Sequence, residues 1–229
     1  MALYDTTKAF KVPCISGKDS MKNDSTRGGR KISIPPTVLF STIGRIDDVI
    51  HAVSLDAKFA GDAIYMIGLT KNELGASEYY AMLNNAIGSN VPKVDVKTAN
   101  ALYHKLAEVI KADIPSSIIS PAIGGIAAAV AKSAMGGRLG FDVELDAIPT
   151  EEKLDDVQIL FSESNSRFIL TCKPEFCSKL EEMLAGFACK KVGVVTENQD
   201  IVFRRGGKTV VSVPLADLVK SYKSTLDGI

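Results

Sequence analysis

The chain has 229 residues, 46% of them hydrophobic, and its 27 acidic and 27 basic side chains give a formal net charge of zero. This length and composition are sufficient for one large domain or two small ones. A balanced charge argues against nucleic acid or an anionic membrane surface as a partner. The first residues contain neither a basic region nor an apolar signal core, so we expect a cytoplasmic protein. The longest apolar stretch, residues 118–135, is interrupted by Pro121 and Lys132 and is predicted to be buried rather than to cross a bilayer.

The front of the chain is predicted to form one short helix and several strands. Residues 3–10 carry apolar side chains at Leu3, Ala9 and Phe10, which suggests the helix, and residues 31–43 are rich in β-formers. Two adjacent prolines inside the second segment place a break or a sheet edge there. The predicted elements are a helix at 3–10, strands at 12–16, 31–43 and 49–54, and a polar loop at 17–30.

Beyond a turn signal at Gly61 and Asp62, strand and helix patterns alternate. Helical spacing is clearest in residues 94–113, where Leu102, Leu106 and Val109 recur on one face. The predicted strands are 63–69, 139–145, 167–172, 189–197, 200–205 and 209–213. The predicted helices are 77–85, 94–113, 126–135, 151–158, 174–184 and 215–226, with a loop at 115–125.

The last two predicted strands indicate the fold class. They are separated by Gly206 and Gly207, a spacing typical of a hairpin, so not every strand of the sheet is parallel. We therefore predict an α+β fold with a mixed sheet and not a doubly wound Rossmann sheet.

The cysteines do not predict a metal site. No two of them form a CxxC pair, whereas zinc requires ligands at close spacing. We predict separate buried thiols in a reduced intracellular chain. The four are Cys14, Cys172, Cys177 and Cys189.

A polar loop after the predicted strand at 12–16 is the sharpest local feature, with the sequence ISGKDSMKND. Gly17 permits close backbone approach to a ligand, and Lys18 carries a compact charge suited to phosphate. Asp19 has the chemistry to hold Mg²⁺, and Ser20 the chemistry to donate to a phosphate oxygen. The spacing of a Walker A loop is absent. From physical chemistry alone, a solvated turn is the alternative interpretation.

The string ISGKDSMKND also resembles the signature loop of phosphoribosylformylglycinamidine synthases, in the second of their two homologous halves. Further segments resemble that family in the same order along the chain: KISIPPTVLFSTIGRIDDV, GDAIYMIGLTKNELGASEYY, FSESNSRFILTCKPE and VPLADLVKSYKSTL. Ala76 stands where the family usually has glycine. The likeness therefore extends over most of the chain.

This resemblance implies a domain organisation. The family belongs to a group of ATP-binding enzymes that includes aminoimidazole ribonucleotide (AIR) synthase, whose unit pairs a barrel-forming N-terminal domain with a C-terminal α/β domain. Residues 1–58 are then the tail of an AIR synthase N-terminal-like domain, truncated at its front. Residues 59–229 are a complete AIR synthase C-terminal-like domain. An incomplete barrel would expose β-edges, which favour either a homodimer or aggregation.

The resemblance also implies a function. The family is an ATP-dependent C–N ligase of de novo purine biosynthesis that converts formylglycinamide ribonucleotide and glutamine-derived ammonia to the amidine, through a phosphorylated amide oxygen. The full enzyme uses ATP and Mg²⁺. Implied partners are the remainder of the synthase, a glutaminase domain or subunit, and the nucleotide substrate. We expect this chain to be inactive alone, with no catalytic residue and no tightly bound cofactor of its own.

Carried over by this likeness, Gly17 matches a backbone position near the nucleotide and Ser20 a position that contacts substrate phosphate. Lys18 stands where some relatives have a magnesium-binding Asn, which puts metal binding there in doubt.

One segment departs from the family pattern. Relatives with a working nucleotide site carry D-x-SDGG before the Ala-rich helix, and here the aligned residues 120–125 are SPAIGG. The two acidic positions fall on Ser120 and Ile123, while Gly124 and Gly125 keep the glycine pair. Mg²⁺ prefers carboxylate oxygens, so we predict a degenerate metal site.

Two further groups each have a structural and a functional interpretation. Ser77 and Glu78 suit a helix N-cap with an acidic first turn, or a ligand contact. Ser162, Glu163 and Arg167 suit a phosphate or sugar site, or a polar loop with a Glu–Arg surface pair.

Two alternatives to a catalytic part stay open. Loss of the carboxylates at 120 and 123 favours a non-catalytic scaffold or docking domain of the same enzyme. Another ATP-dependent enzyme of the AIR synthase superfamily is the second alternative, although the GKDSMKND string argues against it.

Overall fold

The structure, a computed structural model, describes residues 2–18, 24–33, 37–83 and 86–224. By its internal contacts the chain divides into two compact units, Met1–Val49 and Ile50–Ile229. This division falls before the boundary predicted at residue 58, and the assignment of residues 1–58 to the tail of a barrel domain stays a prediction.

In its described residues, the first unit contains one helix and one small hairpin. Helix α1 (Ala2–Phe10) confirms the predicted helix. Strands β1 (Ser25–Arg27) and β2 (Arg30–Ile32) pair antiparallel around two glycines with positive φ.

Three of the strand predictions in and just after this unit are wrong. Residues 12–16 form no strand, and in the described part of 31–43 only the first two residues belong to one. The segment at 49–54 begins with a 3₁₀ turn, Val49–His51. The apolar side chains there are exposed, as at Ile15 (83%) and Leu39 (88%). A β-forming run without a neighbouring strand gains neither ladder hydrogen bonds nor buried area, so propensity alone does not make it a strand.

The second unit alternates strands and helices as predicted. Its strands are β3 (Ala63–Ile67), β4 (Ser117–Ile119), β5 (Gly140–Glu144), β6 (Phe168–Cys172), β7 (Cys189–Thr196), β8 (Asp200–Arg205) and β9 (Lys208–Pro214). Its helices are α2 (Glu78–Met82), α3 (Val96–Lys111), α4 (Gly125–Gly137), α5 (Asp156–Phe161), α6 (Cys177–Met183) and α7 (Leu215–Ser224).

These strands form one mixed sheet of seven strands in the order β4-β6-β3-β7-β5-β8-β9. Neighbouring strands are antiparallel except for β5 and β8, which are parallel. The predicted hairpin at Gly206 and Gly207 joins β8 to β9. The α+β fold with a mixed sheet is therefore confirmed.

The sheet separates two hydrophobic cores. Ile64 and Met66 of β3 belong to the core that also contains residues of α4 and α5. Tyr65 and Ile67 belong to the core that contains residues of α3 and α6. Successive side chains of a strand point to opposite faces, so a strand covered on both sides is apolar throughout. All five residues of β3 are buried for this reason.

Two predicted boundaries in this unit were wrong. The loop predicted at 115–125 contains the edge strand β4. The helix predicted at 151–158 begins later, because Asp155 caps it: the Asp155 side chain accepts from the Gln158 N–H, and the Gln158 side chain accepts from the Asp155 N–H. This reciprocal capping box marks the start of a helix at the following residue.

The four cysteines carry free thiols. Burial raises the pKa of Cys172 and of Cys189 to about 12, which keeps both protonated at neutral pH. Cys14 is exposed, so the prediction of a buried thiol is wrong there.

In the part of the chain that the structure describes, no helix is long and apolar enough to cross a membrane.

Candidate functional site

The predicted phosphate loop lies in the first unit. Gly17 and Lys18 are exposed in an irregular segment that follows α1. Asp19 and Ser20 lie outside the described residues. The binding role assigned to these four residues stays a prediction.

The other predicted site residues converge in the second unit. The chain from Thr70 to Glu78, which leads from β3 into α2, contacts the segment at 162–167. Within that segment, Glu163 contacts Gly124 at the start of α4, and Arg167 contacts Ser120. We call these three stretches (70–78, 120–125 and 162–167) the brace. It brings together all of Ser77, Glu78, Ser162, Glu163 and Arg167.

Arg167 is the buried centre of the brace, with 0% of its surface exposed. Its guanidinium donates to the backbone oxygens of Ser162 and Ser164, at 2.6 and 2.8 Å, and to the Thr70 hydroxyl at 3.0 Å. Burial lowers the pKa of Arg167 to about 10, opposed by the nearby carboxylates of Glu73 and Glu163. Arg167 therefore keeps its charge at neutral pH. The alternative of a Glu–Arg surface pair is wrong, because this arginine is not at the surface.

The two serines of the segment join it to the chain after β3. The Ser162 hydroxyl accepts from the Glu73 N–H at 3.3 Å. The Ser164 hydroxyl accepts from the Lys71 N–H at 3.1 Å. Both serines are buried. The Ser164 hydroxyl satisfies a backbone donor that would otherwise lose its hydrogen bond on folding, whereas the Glu73 N–H also donates to the Lys71 carbonyl at 2.8 Å.

Glu163 links the starts of two helices. Its Oε1 accepts from the Gly124 N–H at 2.9 Å and from the Glu78 N–H at 3.0 Å. Gly124 is the N-cap of α4, and Glu78 is the first residue of α2. One carboxylate oxygen thus satisfies a free donor of each helix, where negative charge is also favoured by the helix dipole.

The capping role predicted for Ser77 is present. Its hydroxyl accepts from the Tyr80 N–H at 3.3 Å and donates to the Leu74 carbonyl at 2.6 Å. Glu78 follows as the acidic residue of the first turn, and its side chain is exposed. A ligand contact at either residue stays a prediction.

Glu73 is a member of the brace that sequence reasoning missed. It is 4% exposed, and its Oε1 accepts from the Lys93 N–H at 3.0 Å. Its Oε2 is buried and has no hydrogen-bond partner in the described residues. The sequence signal was present in the ELGASEYY segment, but only the fold shows that this carboxylate points inward.

The glycine before Ala76 is required by packing. An added Cβ at Gly75 would lie 2.5 Å from the backbone carbonyl carbon of Asn90. The Gly75 N–H donates to the Asn90 carbonyl oxygen at 2.8 Å, so the two backbones are held close together. Ala76 adopts a left-handed φ of 57°, which explains why glycine suits that position in relatives.

The SPAIGG segment provides no set of Mg²⁺ ligands. The Ser120 hydroxyl donates to the Arg167 carbonyl at 3.2 Å, and Ile123 is 63% exposed. Among the described residues there is no cluster of three or more His, Cys, Asp or Glu side chains arranged to hold a metal ion. Since Mg²⁺ requires several oxygen ligands, the residues present at 120 and 123 do not fit the metal.

The glycine pair of this segment has a packing role. Gly124 and Gly125 have positive φ, 82° and 65°. A Cβ at Gly125 would lie 2.6 Å from the Leu160 carbonyl oxygen. The brace therefore keeps the close approach of α4 to α5 although the acidic positions are lost.

The sequence matches a known family over most of the second unit. The family of AIR synthase related proteins, C-terminal domain, matches residues 60–205. The chain belongs to this family.

Curated relatives extend the match to nearly the whole chain. The phosphoribosylformylglycinamidine synthase subunit PurL of Methanocaldococcus jannaschii is 30% identical over 223 residues, which cover 96% of this chain and 30% of the relative. The subunit PurL of Alkaliphilus metalliredigens is 30% identical over 228 residues, with 99% and 30% covered. The chain thus spans about 30% of the length of these relatives. The predicted resemblance to this synthase family is confirmed.

Solved structures share the fold. Thermotoga maritima PurL complexed with FGAR superposes with a TM-score of 0.68 at 21% identity, covering 74% of this chain and 29% of that one. The hydrogenase maturation protein HypE in complex with ATP gives a TM-score of 0.51 at 18% identity, covering 69% and 51%.

Proposed function

We propose that the chain is part of a phosphoribosylformylglycinamidine synthase, an ATP-dependent C–N ligase of purine biosynthesis. The observation that carries this proposal is the 30% identity over nearly the whole chain to relatives with that name. The full enzyme would convert formylglycinamide ribonucleotide to the amidine with ATP, Mg²⁺ and glutamine-derived ammonia, in the cytoplasm.

Within that enzyme, residues 1–58 would belong to the end of a barrel-forming domain and residues 59–229 to the complete domain behind it. Since the chain spans about 30% of its relatives, the remaining synthase is its first partner. A glutaminase domain or subunit that supplies ammonia is the second. Gly17, Lys18, Asp19 and Ser20 would contribute to a nucleotide or substrate phosphate site completed by that remaining chain.

The metal site of this half is degenerate in the proposed enzyme. A hydroxyl bound to a backbone carbonyl and an exposed isoleucine stand at the two acidic positions of the family pattern. The isolated chain should then bind Mg·ATP weakly or not at all.

Isothermal titration with Mg·ATP tests this part of the proposal. The wild-type chain should give no heat of binding in the micromolar range, and micromolar affinity would contradict the degenerate site. The double variant Ser120→Asp with Ile123→Asp restores both carboxylates. Its matched control, Ser120→Asn with Ile123→Asn, has the same size without the charge, so only the aspartate pair should gain affinity for Mg²⁺.

A scaffold role is the second candidate, favoured by the same missing carboxylates. Activity reconstituted by adding the rest of the synthase separates the two candidates. If Ser20→Ala lowers turnover of the reconstituted enzyme, the loop takes part in substrate binding. If turnover is unchanged, the chain serves as a scaffold only.

A further inference from the structure

The contacts of Glu163 differ from those expected of a ligand-binding carboxylate. Its Oε1 already accepts two backbone N–H groups, one from Glu78 and one from Gly124. Its own backbone N–H donates to the Glu73 carbonyl at 3.2 Å. The residue is therefore held at both its backbone and its side chain by groups of the brace.

The two donors belong to helices that do not otherwise share a cap. Helix α4 has no side-chain cap from its own N-cap residue, because Gly124 carries no side chain. Ser77 caps α2 through the Tyr80 N–H, which leaves the Glu78 N–H for another acceptor. Glu163 supplies the missing acceptor for both helices at once.

We propose that Glu163 is a positioning residue that fixes the start of α2 relative to the start of α4. These two helix starts carry the predicted ligand contacts Ser77 and Glu78 and the glycine pair at 124 and 125. We call the two hydrogen bonds from the Glu78 and Gly124 N–H groups to Glu163 Oε1 the bridge. The bridge is a property of this chain, whereas its effect on catalysis rests on the proposed function.

The segment that contains Glu163 is itself held by hydrogen bonds on both sides of that residue. Arg167 binds the carbonyls of Ser162 and Ser164, the residues on either side of Glu163. The two serine hydroxyls bind backbone N–H groups after β3. Because this carboxylate is held in place, it fixes both helix starts relative to β6 and the loop before it.

Amide exchange by NMR tests the bridge in the whole chain. In Glu163→Ala, protection of the Glu78 and Gly124 amides should fall at least tenfold together. In Glu163→Gln, which keeps an acceptor oxygen in the same place, it should fall less than threefold. Glu152→Ala, at an exposed glutamate of the same charge, is the matched control and should change neither amide.

A second measurement needs no variant, so it remains decisive if Glu163→Ala does not fold. In the wild-type chain the amides of Glu78 and Gly124 should both be protected from exchange, because each donates to Glu163 Oε1. Exchange of either amide as fast as in an unstructured peptide would overturn the proposal. Unchanged protection of either amide in a folded Glu163→Ala would overturn it as well.

The effect of Glu163 on catalysis is measured as kcat/KM of the reconstituted enzyme. Glu163→Ala should lower kcat/KM at least tenfold, and Glu163→Gln should restore it to within threefold of wild type. Loss of activity in both variants to the same degree would overturn the positioning role. If the wild-type reconstitution has no synthase activity, the proposed function fails, while the amide measurements still decide whether the bridge exists.

Discussion

The two units of this protein respond differently to similar sequence patterns. In the first unit, β-forming runs such as 37–43 stay irregular, and their apolar side chains are exposed. In the second, a run of the same kind becomes β3, with hydrogen-bonded neighbours on both sides and two cores around it. The difference shows that β-propensity acts through partners: a strand forms where adjacent strands and a covered face exist.

The largest expected difference in stability between the two units comes from removing a buried charge. We expect Arg167→Met to lower the free energy of unfolding of the second unit by about 4 kcal/mol, because it leaves two buried carbonyls and a nearby buried carboxylate without their cation. The matched control Arg30→Met changes an exposed strand residue of the first unit and should cost less than about 0.5 kcal/mol. Urea unfolding measures both. Equal losses would contradict the contrast between the units.

A slightly smaller effect should come from a core leucine. Leu170 in β6 is 0% exposed, whereas Leu39 in the first unit is 88% exposed. Leu170→Ala should destabilise by about 3 kcal/mol through lost burial and a residual cavity. Leu39→Ala should change stability by less than about 0.5 kcal/mol. A cost above 1 kcal/mol for Leu39→Ala, well beyond what an exposed side chain contributes, would show that this segment is packed.

The smallest expected effect concerns two carboxyl groups of the second unit whose pKa values are shifted in opposite directions. Burial raises the pKa of Asp62, with a hydrogen bond from Ser116 and the charge of Lys173 opposing it, and its Oδ2 has no partner in the described residues. The pKa of Asp56 is lowered to about 2, first by its hydrogen bond with Lys58.

Replacing Asp62 and replacing Asp56 by asparagine should therefore change stability in opposite directions. A raised pKa favours the protonated folded state, so stability from Asp62 is present below about pH 4 and is lost as pH rises. Asp62→Asn should remove this loss and stabilise the protein at pH 7. Stability from Asp56 is present above its unfolded pKa and is lost as pH falls toward 2, so Asp56→Asn should destabilise, by less than about 1 kcal/mol because the pair is partly exposed. Urea midpoints between pH 3 and 7 check both signs, and a destabilised Asp62→Asn would mean that its charge is compensated.

Much of the second unit was predictable because its patterns are local. The alternation of helices and strands, the β8–β9 hairpin and the Ser77 cap follow from residues close together in sequence. The start of α5 was missed although its capping box is also local, since the Asp155 and Gln158 pair lies inside a polar run that resembles a helix from residue 151 onward.

Several residues of the brace were singled out from the sequence as separate groups, but neither their arrangement nor the part played by Glu73 was predicted. Sequence reasoning singled out Glu163, but its two partners lie 85 and 39 residues away in the chain. For Arg167, a Glu–Arg surface pair was one of two interpretations, because arginine is rarely buried without a visible partner in sequence. Its partners are backbone carbonyls, which no sequence pattern displays.

By itself, the sequence determined the family, the mixed α+β class, and the loss of carboxylates at residues 120 and 123, because these depend on residue identity and local order. Only the tertiary structure decided which β-forming runs become strands, that Arg167 is buried, and that one oxygen of Glu163 joins two helix starts. Those outcomes depend on which distant groups approach one another, and a hydrogen bond or a buried face exists only when its partner is in place.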